Sequence, residues 1–316
     1  MLGRVTSSPT IDNKMAKMTG SEATHITAQF SDITRSDDTL SRFLHGLPGV
    51  DQVGAEARAA GLGTRSIKTT AKAWAIDLAI SMVDLTTLEG QDTAGKVRAL
   101  AAKAMHPDPA DPTCPATAAV CVYPDMVGVA KATLGTSAVN VAAVATAFPS
   151  GRAALDIKLA DTEDAVQAGA DEIVAVREAC GSAHLKVIFE TGELQTYDNV
   201  RRASWLAMMA GAHFIKTSTG KVQPATTLPV TLVMLEAVRD FREQTGQMIG
   251  VKPAGGIKNT KDAIKYLVMV NEIAGDDWLD PDWFRFGAST LLNDLLMQRT
   301  KLTTGVYSGP DYFTLD

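Results

Sequence analysis

The sequence is poor in the features that mark several functional classes. Its three cysteines, Cys114, Cys121 and Cys180, show no C-x-x-C spacing, so neither a disulfide framework nor a zinc site is indicated. No apolar run approaches the length of a membrane span, and residues 1–30 lack the apolar core of a signal peptide. No long Lys/Arg cluster is present and the formal net charge is -6, which argues against nucleic acid or a membrane surface as a partner. These absences predict a cytoplasmic protein in a reducing compartment.

Composition and length favour one large domain. Hydrophobic residues make up 46% of the 316 residues and charged residues 21%, which is ordinary for a chain with a sizeable core. No linker-like composition divides the chain after about residue 70. We therefore predict an N-terminal extension over residues 1–65, partly disordered or helical, a main folded domain over 66–302 and a tail over 303–316. Composition leaves a homo-oligomer open.

Apolar runs alternate with helical segments along most of the chain. The runs predicted as strands are residues 81–87, 118–123, 139–146, 185–190, 213–219, 248–252 and 284–287. The segments predicted as helices are 66–80, 91–104, 125–134, 154–169, 196–210, 227–244, 260–274 and 290–300. About eight such alternations predict an α/β fold, a (β/α)8 TIM barrel, with a doubly wound sheet as the alternative. In either fold, reactive groups are expected at the carboxyl ends of the strands.

Two lysines end neighbouring predicted strands. Lys216 closes the run Phe214-Ile215-Lys216, and Lys252 follows Val251 in the next run. A buried ammonium is costly, and two that lie close together disfavour each other's charged form. One amine can then be neutral near pH 7 and attack a carbonyl carbon to form a Schiff base. This pair therefore indicates lysine-based covalent catalysis.

Other polar residues near strand ends support a site there, although each has a structural reading of its own. Asp84 could pair or cap, Cys121 is more often a small buried hydrophobe, and Glu190 could be a structural hydrogen-bond acceptor. Lys216 and Lys252 have no comparably simple structural role. Burying one ammonium group already costs free energy, and two lysines at adjacent strand ends would both carry that cost.

Three glycine-bearing turns end the last three runs, at residues 218–221, 254–258 and 286–290. Each offers bare backbone N–H groups, and the last two precede predicted helices, whose N-termini attract anions. Barrels that bind phosphate commonly use the loops after strands seven and eight. With Lys221 beside the first turn, the three turns predict a phosphate site, the alternative being that the glycines only make tight turns. None is a P-loop, because Val222 follows Lys221.

Several motifs together resemble the 2-deoxyribose-5-phosphate aldolases, a class I aldolase family. The matching segments, in order from about residue 66 to 300, are 83–88, 118–124, 185–194, 214–221, 252–256 and 285–290. The resemblance implies that Lys216 forms the Schiff base and that Lys252 tunes it. It also implies phosphate binding through Gly220, Lys221, Gly255, Gly256, Gly287 and Ser289. We further predict substrate contacts from Asp84, Cys121, Thr217 and Thr219.

The family's reaction is the reversible cleavage of 2-deoxy-D-ribose 5-phosphate into glyceraldehyde 3-phosphate and acetaldehyde, in deoxynucleoside catabolism. A small phosphosugar is thus the expected partner, with no metal and no organic cofactor. Many members carry a mobile tail with a tyrosine that reaches the site, for which Tyr307 and Tyr312 are the candidates here, with surface packing as the alternative.

The resemblance breaks at residues 170–181. In the family, a strand that begins like Asp171-Glu172-Ile173 continues with an aspartate of the proton relay, but Val174 stands at that position here, and Asp171 is one pleat off. Only about eight residues separate Val176 from Leu185, whereas a parallel crossover needs about a dozen or more. Either residues 172–176 form a fourth strand with no real helix after it, or the barrel lacks a strand. The fourth strand and helix unit is therefore predicted to be truncated.

Two functions remain open at this point. The first is a Schiff-base aldolase acting on deoxyribose 5-phosphate, or a related phosphosugar lyase. The second is a catalytically impaired phosphosugar-binding protein, because the relay aspartate is missing.

Overall fold

A computed structural model of the chain describes residues 30–174, 180–309 and 312–313. Eight parallel strands form one sheet in the order β7-β6-β5-β4-β3-β2-β1-β8. The strands are β1 Val83–Thr86, β2 Ala119–Val122, β3 Asn140–Val144, β4 Glu172–Val174, β5 His184–Ile188, β6 Phe214–Lys216, β7 Gly250–Lys252 and β8 Phe286–Ala288.

Helices connect most of these strands. In the described residues they are α1 Asp37–Gly46, α2 Gln52–Gly63, α3 Thr69–Ser81, α4 Ala94–Met105, α5 Val127–Leu134, α6 Leu155–Gln167, α7 Thr191–Leu194, α8 Tyr197–Met209, α9 Leu228–Thr245, α10 Thr260–Ile273 and α11 Leu291–Thr304. Short 3-10 helices span Pro124–Met126 and Asp276–Trp278. Hydroxyl or amide side chains cap the amino ends of several helices, among them Thr93, Thr196, Thr227 and Asn259.

The sheet closes into a barrel. Strand β1 pairs with both β2 and β8, and backbone hydrogen bonds join the β7 segment to the β8 segment. Arg285 N donates to Val251 O at 3.1 Å, and Gly287 N donates to Pro253 O at 3.0 Å. The predicted (β/α)8 TIM barrel is thereby confirmed and the doubly wound alternative is excluded. The apolar runs are long because strands of this kind are covered on both faces, and every residue of β2 is buried.

The fourth unit of the barrel is shortened as predicted. Strand β4 pairs in parallel with β3 and with β5, with Ile173 opposite Ala143 on one side and Leu185 on the other. Of the two readings left open by the sequence, the one with a fourth strand is therefore correct. Only residues 175–183 connect β4 to β5, and residues 180–183, the described part of this connection, contain a turn and no helix.

The part of the N-terminal extension that the structure describes packs on α8 and α9. Phe30 stacks on Phe241 with ring centroids 5.9 Å apart, and Arg58 of α2 lies 2.5 Å from Glu236 of α9. Residues 1–29 of the predicted extension, and residues 310–311 and 314–316 of the predicted tail, lie outside the described residues. In the described part of the chain, no helix is both long enough and apolar enough to cross a membrane.

Candidate active site

Two lysines lie side by side at the carboxyl ends of β6 and β7. Lys216 is the register partner of Lys252, and their side chains are buried, with only 4% and 2% of each residue exposed. Both strands are short, so each lysine is the last strand residue before a glycine-bearing turn. The barrel thus brings the two predicted reactive residues together in its interior.

The two amines differ in protonation because their surroundings differ. Burial, followed by the charge on Lys252, lowers the pKa of Lys216 from 10.5 to about 7. Burial is the largest single influence on Lys252 and lowers its pKa, but the charge and hydrogen bond of Asp84, together with smaller contributions that include the charge of Glu172, raise that pKa above its ordinary value. Near pH 7, Lys216 therefore has a substantial neutral fraction while Lys252 stays charged.

Asp84 is the anion that holds Lys252 charged. It lies on β1, is fully buried and accepts a close hydrogen bond from Lys252 Nζ. Lys186 Nζ lies 3.1 Å from the same oxygen, and Arg285 donates to the other oxygen at 2.7 Å. Burial raises the pKa of Asp84, but these three cations outweigh burial and hold the pKa well below its ordinary value. Asp84 is therefore ionised.

A second buried carboxylate, Glu172 of β4, extends this network. Its oxygens lie 2.5 Å from Lys186 Nζ and 3.2 Å from an Arg285 nitrogen. Burial lowers the pKa of Lys186, which favours its neutral form. The pKa values of Asp84 and Glu172 are lowered as well, which favours their charged forms. Because Lys186 lies within ion-pair distance of both carboxylates, we assign it as charged. An ammonium at Lys216 would add a further cation to the three that already face two carboxylates.

A cavity of about 400 Å³ opens above Lys216. Its lining includes seven residues predicted from the sequence, namely Thr219, Gly220, Lys221, Gly255, Gly256, Gly287 and Ser289. A Cβ on Gly255 would meet Ala225 Cβ at 2.6 Å, and one on Gly287 would meet Ala254 Cβ at 2.8 Å. The close approach of these turns therefore requires glycine.

Besides Lys216, three lysines line the cavity: Lys96 of α4, Lys221 and Lys258. Lys221 Nζ lies 2.8 Å from Glu89, and Lys96 Nζ lies 2.9 Å from Asp92. This concentration of cations around glycine turns suits a phosphate group. The sequence reasoning assigned no role to Lys96 or Lys258.

Three predicted contacts are not part of this cavity lining. Asp84 lies within the buried ion network, and Thr217 is fully buried, with its hydroxyl accepting a 2.9 Å hydrogen bond from Ala254 N. Cys121 is buried in a small apolar cluster with Leu88, Ala142 and Val144. The structure therefore places these three residues behind the cavity wall.

The side chain of Glu190 forms hydrogen bonds with the turn that contains Lys221. Its backbone is left-handed, at φ 49 and ψ 66, and its carboxylate accepts hydrogen bonds from Thr219 N at 3.2 Å and Thr219 Oγ1 at 2.5 Å. The structural reading of Glu190 as a hydrogen-bond acceptor thus has direct geometric support.

The position of the relay acid is occupied by valine. Glu172 contacts Lys186 and Arg285 inside the barrel, and Val174 stands two residues on, at the position where the resemblance predicts the relay acid. Asp171 instead lies 3.0 Å from Lys131 of α5 and accepts from Val141 N at 2.8 Å, so it points away from the interior. Among the described residues that line the cavity, Glu89 at the rim is the only one with a carboxylate.

The two candidate tail tyrosines lie outside the cavity described above. Tyr307 is 54% exposed and stacks on Lys301, whose Nζ is 3.8 Å from the ring centroid. Tyr312 is 62% exposed and borders, with the buried Phe313, a separate cavity of about 690 Å³ along α4. Surface packing is the arrangement that the structure presents for both.

Sequence reasoning missed the roles of Lys186, Glu172 and Arg285. Lys186 carries the same signal as Lys216, a lysine within an apolar run, and Arg285 stands between two phenylalanines. A search for every charged residue inside an apolar run would have found both.

Comparison with known proteins agrees with this geometry. The profile of the DeoC/LacD family aldolases matches residues 160–297. The chain is 44% identical to human deoxyribose-phosphate aldolase over 267 residues, which cover 75% of this chain and 84% of the human protein. It is 43% identical to the mouse deoxyribose-phosphate aldolase over 275 residues, covering 77% of this chain and 86% of the mouse protein.

A solved structure shares the fold. The tetrameric deoxyribose phosphate aldolase from Aeropyrum pernix superimposes with a TM-score of 0.56 at 22% identity, over 78% of this chain and 98% of that chain.

Proposed function

Because the chain belongs to the deoxyribose-phosphate aldolase family, we propose that it is a class I aldolase that uses Lys216 as its nucleophile. Its substrate is 2-deoxy-D-ribose 5-phosphate, which it cleaves reversibly to glyceraldehyde 3-phosphate and acetaldehyde, in deoxyribonucleotide catabolism. The supporting observation is the buried Lys216–Lys252 pair, in which the pKa of Lys216 is lowered to about 7 while that of Lys252 is raised.

The proposed reaction begins with the neutral amine of Lys216. Its nitrogen attacks the aldehyde carbon C1, water leaves, and a protonated imine forms. The C3 hydroxyl then loses its proton, the C2–C3 bond breaks, and its electron pair moves into the imine to give an enamine. Glyceraldehyde 3-phosphate leaves with C3 as its aldehyde carbon. Protonation at C2 and hydrolysis of the second imine release acetaldehyde and restore Lys216.

Lys252 has an electrostatic role in this proposal. Its ammonium, held by Asp84, disfavours a second ammonium on Lys216 and so keeps the nucleophile available. Lys186 and Arg285 support this arrangement because they fix both oxygens of Asp84. The lysine pair therefore depends on buried groups that never touch the substrate.

The phosphate group of the substrate is proposed to lie against the glycine turns. The N–H of Gly220 donates to Ser218 Oγ at 2.8 Å and that of Gly287 to Pro253 O at 3.0 Å, so these two glycines would contribute close approach of the backbone. The N–H of Gly255 would donate to the phosphate oxygens, and Lys221 and Lys258 would supply charge. Gly256 and Ser289 complete the set of proposed phosphate contacts.

A second candidate function follows from β4. Since Val174 occupies the relay position and only residues 175–183 join β4 to β5, the chain could bind the phosphosugar and form the imine without efficient turnover. A general acid or base typically contributes a factor of roughly 100 to 10,000, so its loss would separate binding from catalysis.

One experiment distinguishes the two functions. Purified chain is mixed with deoxyribose 5-phosphate, release of acetaldehyde is followed, and a parallel sample is reduced with borohydride and weighed by mass spectrometry. Release together with a trapped adduct supports the aldolase. An adduct with negligible release supports the impaired phosphosugar-binding protein, and absence of both contradicts the Schiff-base proposal.

A further inference from the structure

The ion pair between Glu89 and Lys221 crosses the mouth of the candidate active site. Glu89 follows β1 and Lys221 follows β6, and both line the cavity above Lys216. Around the closed barrel, β8 and β7 lie between β1 and β6. The 2.8 Å contact therefore joins two loops that two strands separate, and it does so at a cavity that Gly255 and Gly287 also line.

Both ends of this bridge are anchored through their backbones. Asp92 accepts a 2.9 Å hydrogen bond from Glu89 N and a 2.7 Å hydrogen bond from the Thr87 hydroxyl. On the other side, Lys221 N donates to Thr219 Oγ1 at 3.1 Å. The side chains themselves remain 55% and 40% exposed for Glu89 and Lys221. The anchors hold the two residues across the cavity while leaving their charged groups free to change partners.

We propose that the Glu89–Lys221 ion pair is a latch, and that the phosphate group of an incoming ligand displaces Glu89 from Lys221. This inference rests on the proposed phosphate site. Lys221 would exchange one carboxylate for a phosphate group, whose charge is about −1.5 to −2 at pH 7 and whose oxygens accept charge-assisted hydrogen bonds. Glu89 would turn into solvent, away from the bound anion. A ligand without an anionic group cannot make this exchange, so it leaves the Glu89–Lys221 ion pair in place.

The latch predicts that a carboxylate at residue 89 opposes phosphate binding through Lys221. Titration calorimetry with inorganic phosphate, at low ionic strength, tests this on the full chain. We expect Glu89→Gln to bind phosphate roughly threefold to fivefold more tightly, the range expected when an exposed charge pair no longer competes. Glu193→Gln, which removes an equal charge from the exposed face of α7, is the matched control and should bind as the unmodified chain does.

The double variant decides whether Glu89 acts through Lys221. In a Lys221→Gln background, Glu89→Gln should give no gain in phosphate affinity. A gain that persists there, or a Glu89→Gln variant that matches Glu193→Gln, would overturn the latch. Absence of phosphate binding in every variant would overturn the proposed phosphate site as well. A phosphate affinity that is the same with glutamate or glutamine at residue 89 would overturn the latch alone. The readout needs no turnover, so it remains valid if the chain is catalytically impaired.

Discussion

The two sides of the barrel differ in completeness. In the β6 to β8 sector, α9 buries ten residues against its neighbours, and the adjoining turns form the candidate phosphate site. In the β3 to β5 sector, α6 buries only Thr162 and Ala165, and Leu155 and Ile157 remain more than half exposed at 63% and 57%. The complete sector holds Lys216 and Lys252, the lysines of the proposed chemistry, while the shortened sector holds Val174, where the resemblance predicts an acid.

This difference separates two parts of the proposed chemistry. Nucleophile activation and phosphate binding depend on β6, β7 and β8, whose strands and helices are intact. Proton transfer to and from the substrate depends in the family on a residue of the fourth strand, where this chain has Val174. Changes in one sector should therefore alter imine formation, and changes in the other should alter turnover.

Restoring an acid in the shortened sector should have the largest effect. Because Val174 stands where the resemblance predicts the relay acid, Val174→Asp would restore a carboxylate at that position of β4. We expect acetaldehyde release to rise by a factor of roughly 100 or more, the usual contribution of a general acid or base. Val174→Asn, which has the same shape without the acid, is the control. Equal rates in the two variants would show that residue 174 is not the limiting position.

Removing the central carboxylate should destabilise the intact sector. Asp84→Asn leaves Lys186, Lys252 and Arg285 with one buried anion fewer, and breaking a buried ion pair costs about 3–5 kcal/mol. Denaturant unfolding measures the loss. Asp277→Asn removes the exposed partner of Arg242 and should cost at most about 1 kcal/mol. Similar losses for the two substitutions would mean that the network is not important for stability.

Substitutions at the phosphate turns should discriminate between substrates. Lys221→Ala removes a cation, and Gly256→Asp places a carboxylate where phosphate is proposed to sit. Each should raise the KM for deoxyribose 5-phosphate by roughly 10-fold or more, the worth of one charge-assisted hydrogen bond, with little change for unphosphorylated deoxyribose. If the chain turns over too slowly for kinetics, dissociation constants replace KM. Equal losses for both sugars would mean that these turns are only structural.

The pH dependence of imine formation should reveal the coupling between the two lysines. Since the pKa of Lys216 is lowered to about 7, the neutral amine is lost as pH falls through that value. The trapping rate should rise by about tenfold between roughly pH 6 and pH 8 and then level off. Lys252→Met removes the neighbouring ammonium, so the curve should move to higher pH. A curve that does not move would exclude Lys252 as the tuning group.

Much of the fold could be predicted because its signals are local. Apolar runs with short polar boundaries indicated seven of the strands, and Thr93, Thr196, Thr227 and Asn259 mark where helices begin. The fourth strand was ambiguous, because its three residues lie too close to the next strand for an ordinary crossover. Only its pairing with both neighbours, which is a non-local property, resolves the ambiguity.

The candidate site was predictable only in part. Lys216 and Lys252 stand out in sequence because each ends an apolar run, and strand order makes them neighbours. The interaction of Arg285 with Asp84 joins residues 201 positions apart, so no sequence spacing signals it. The Glu89–Lys221 bridge spans 132 positions and depends on loop conformation. Long-range charge pairing is therefore what sequence reasoning could not supply.

The central claim is that Lys216, rather than another buried lysine, is the nucleophile. The direct measurement is borohydride trapping of the intact chain with deoxyribose 5-phosphate at pH 7, followed by peptide mapping of the added mass. We expect the label on Lys216 and none on Lys186 or Lys252, because those two amines are charged and paired with Asp84. Label on Lys252 or Lys186, or full labelling that persists in Lys216→Ala, would contradict the assignment.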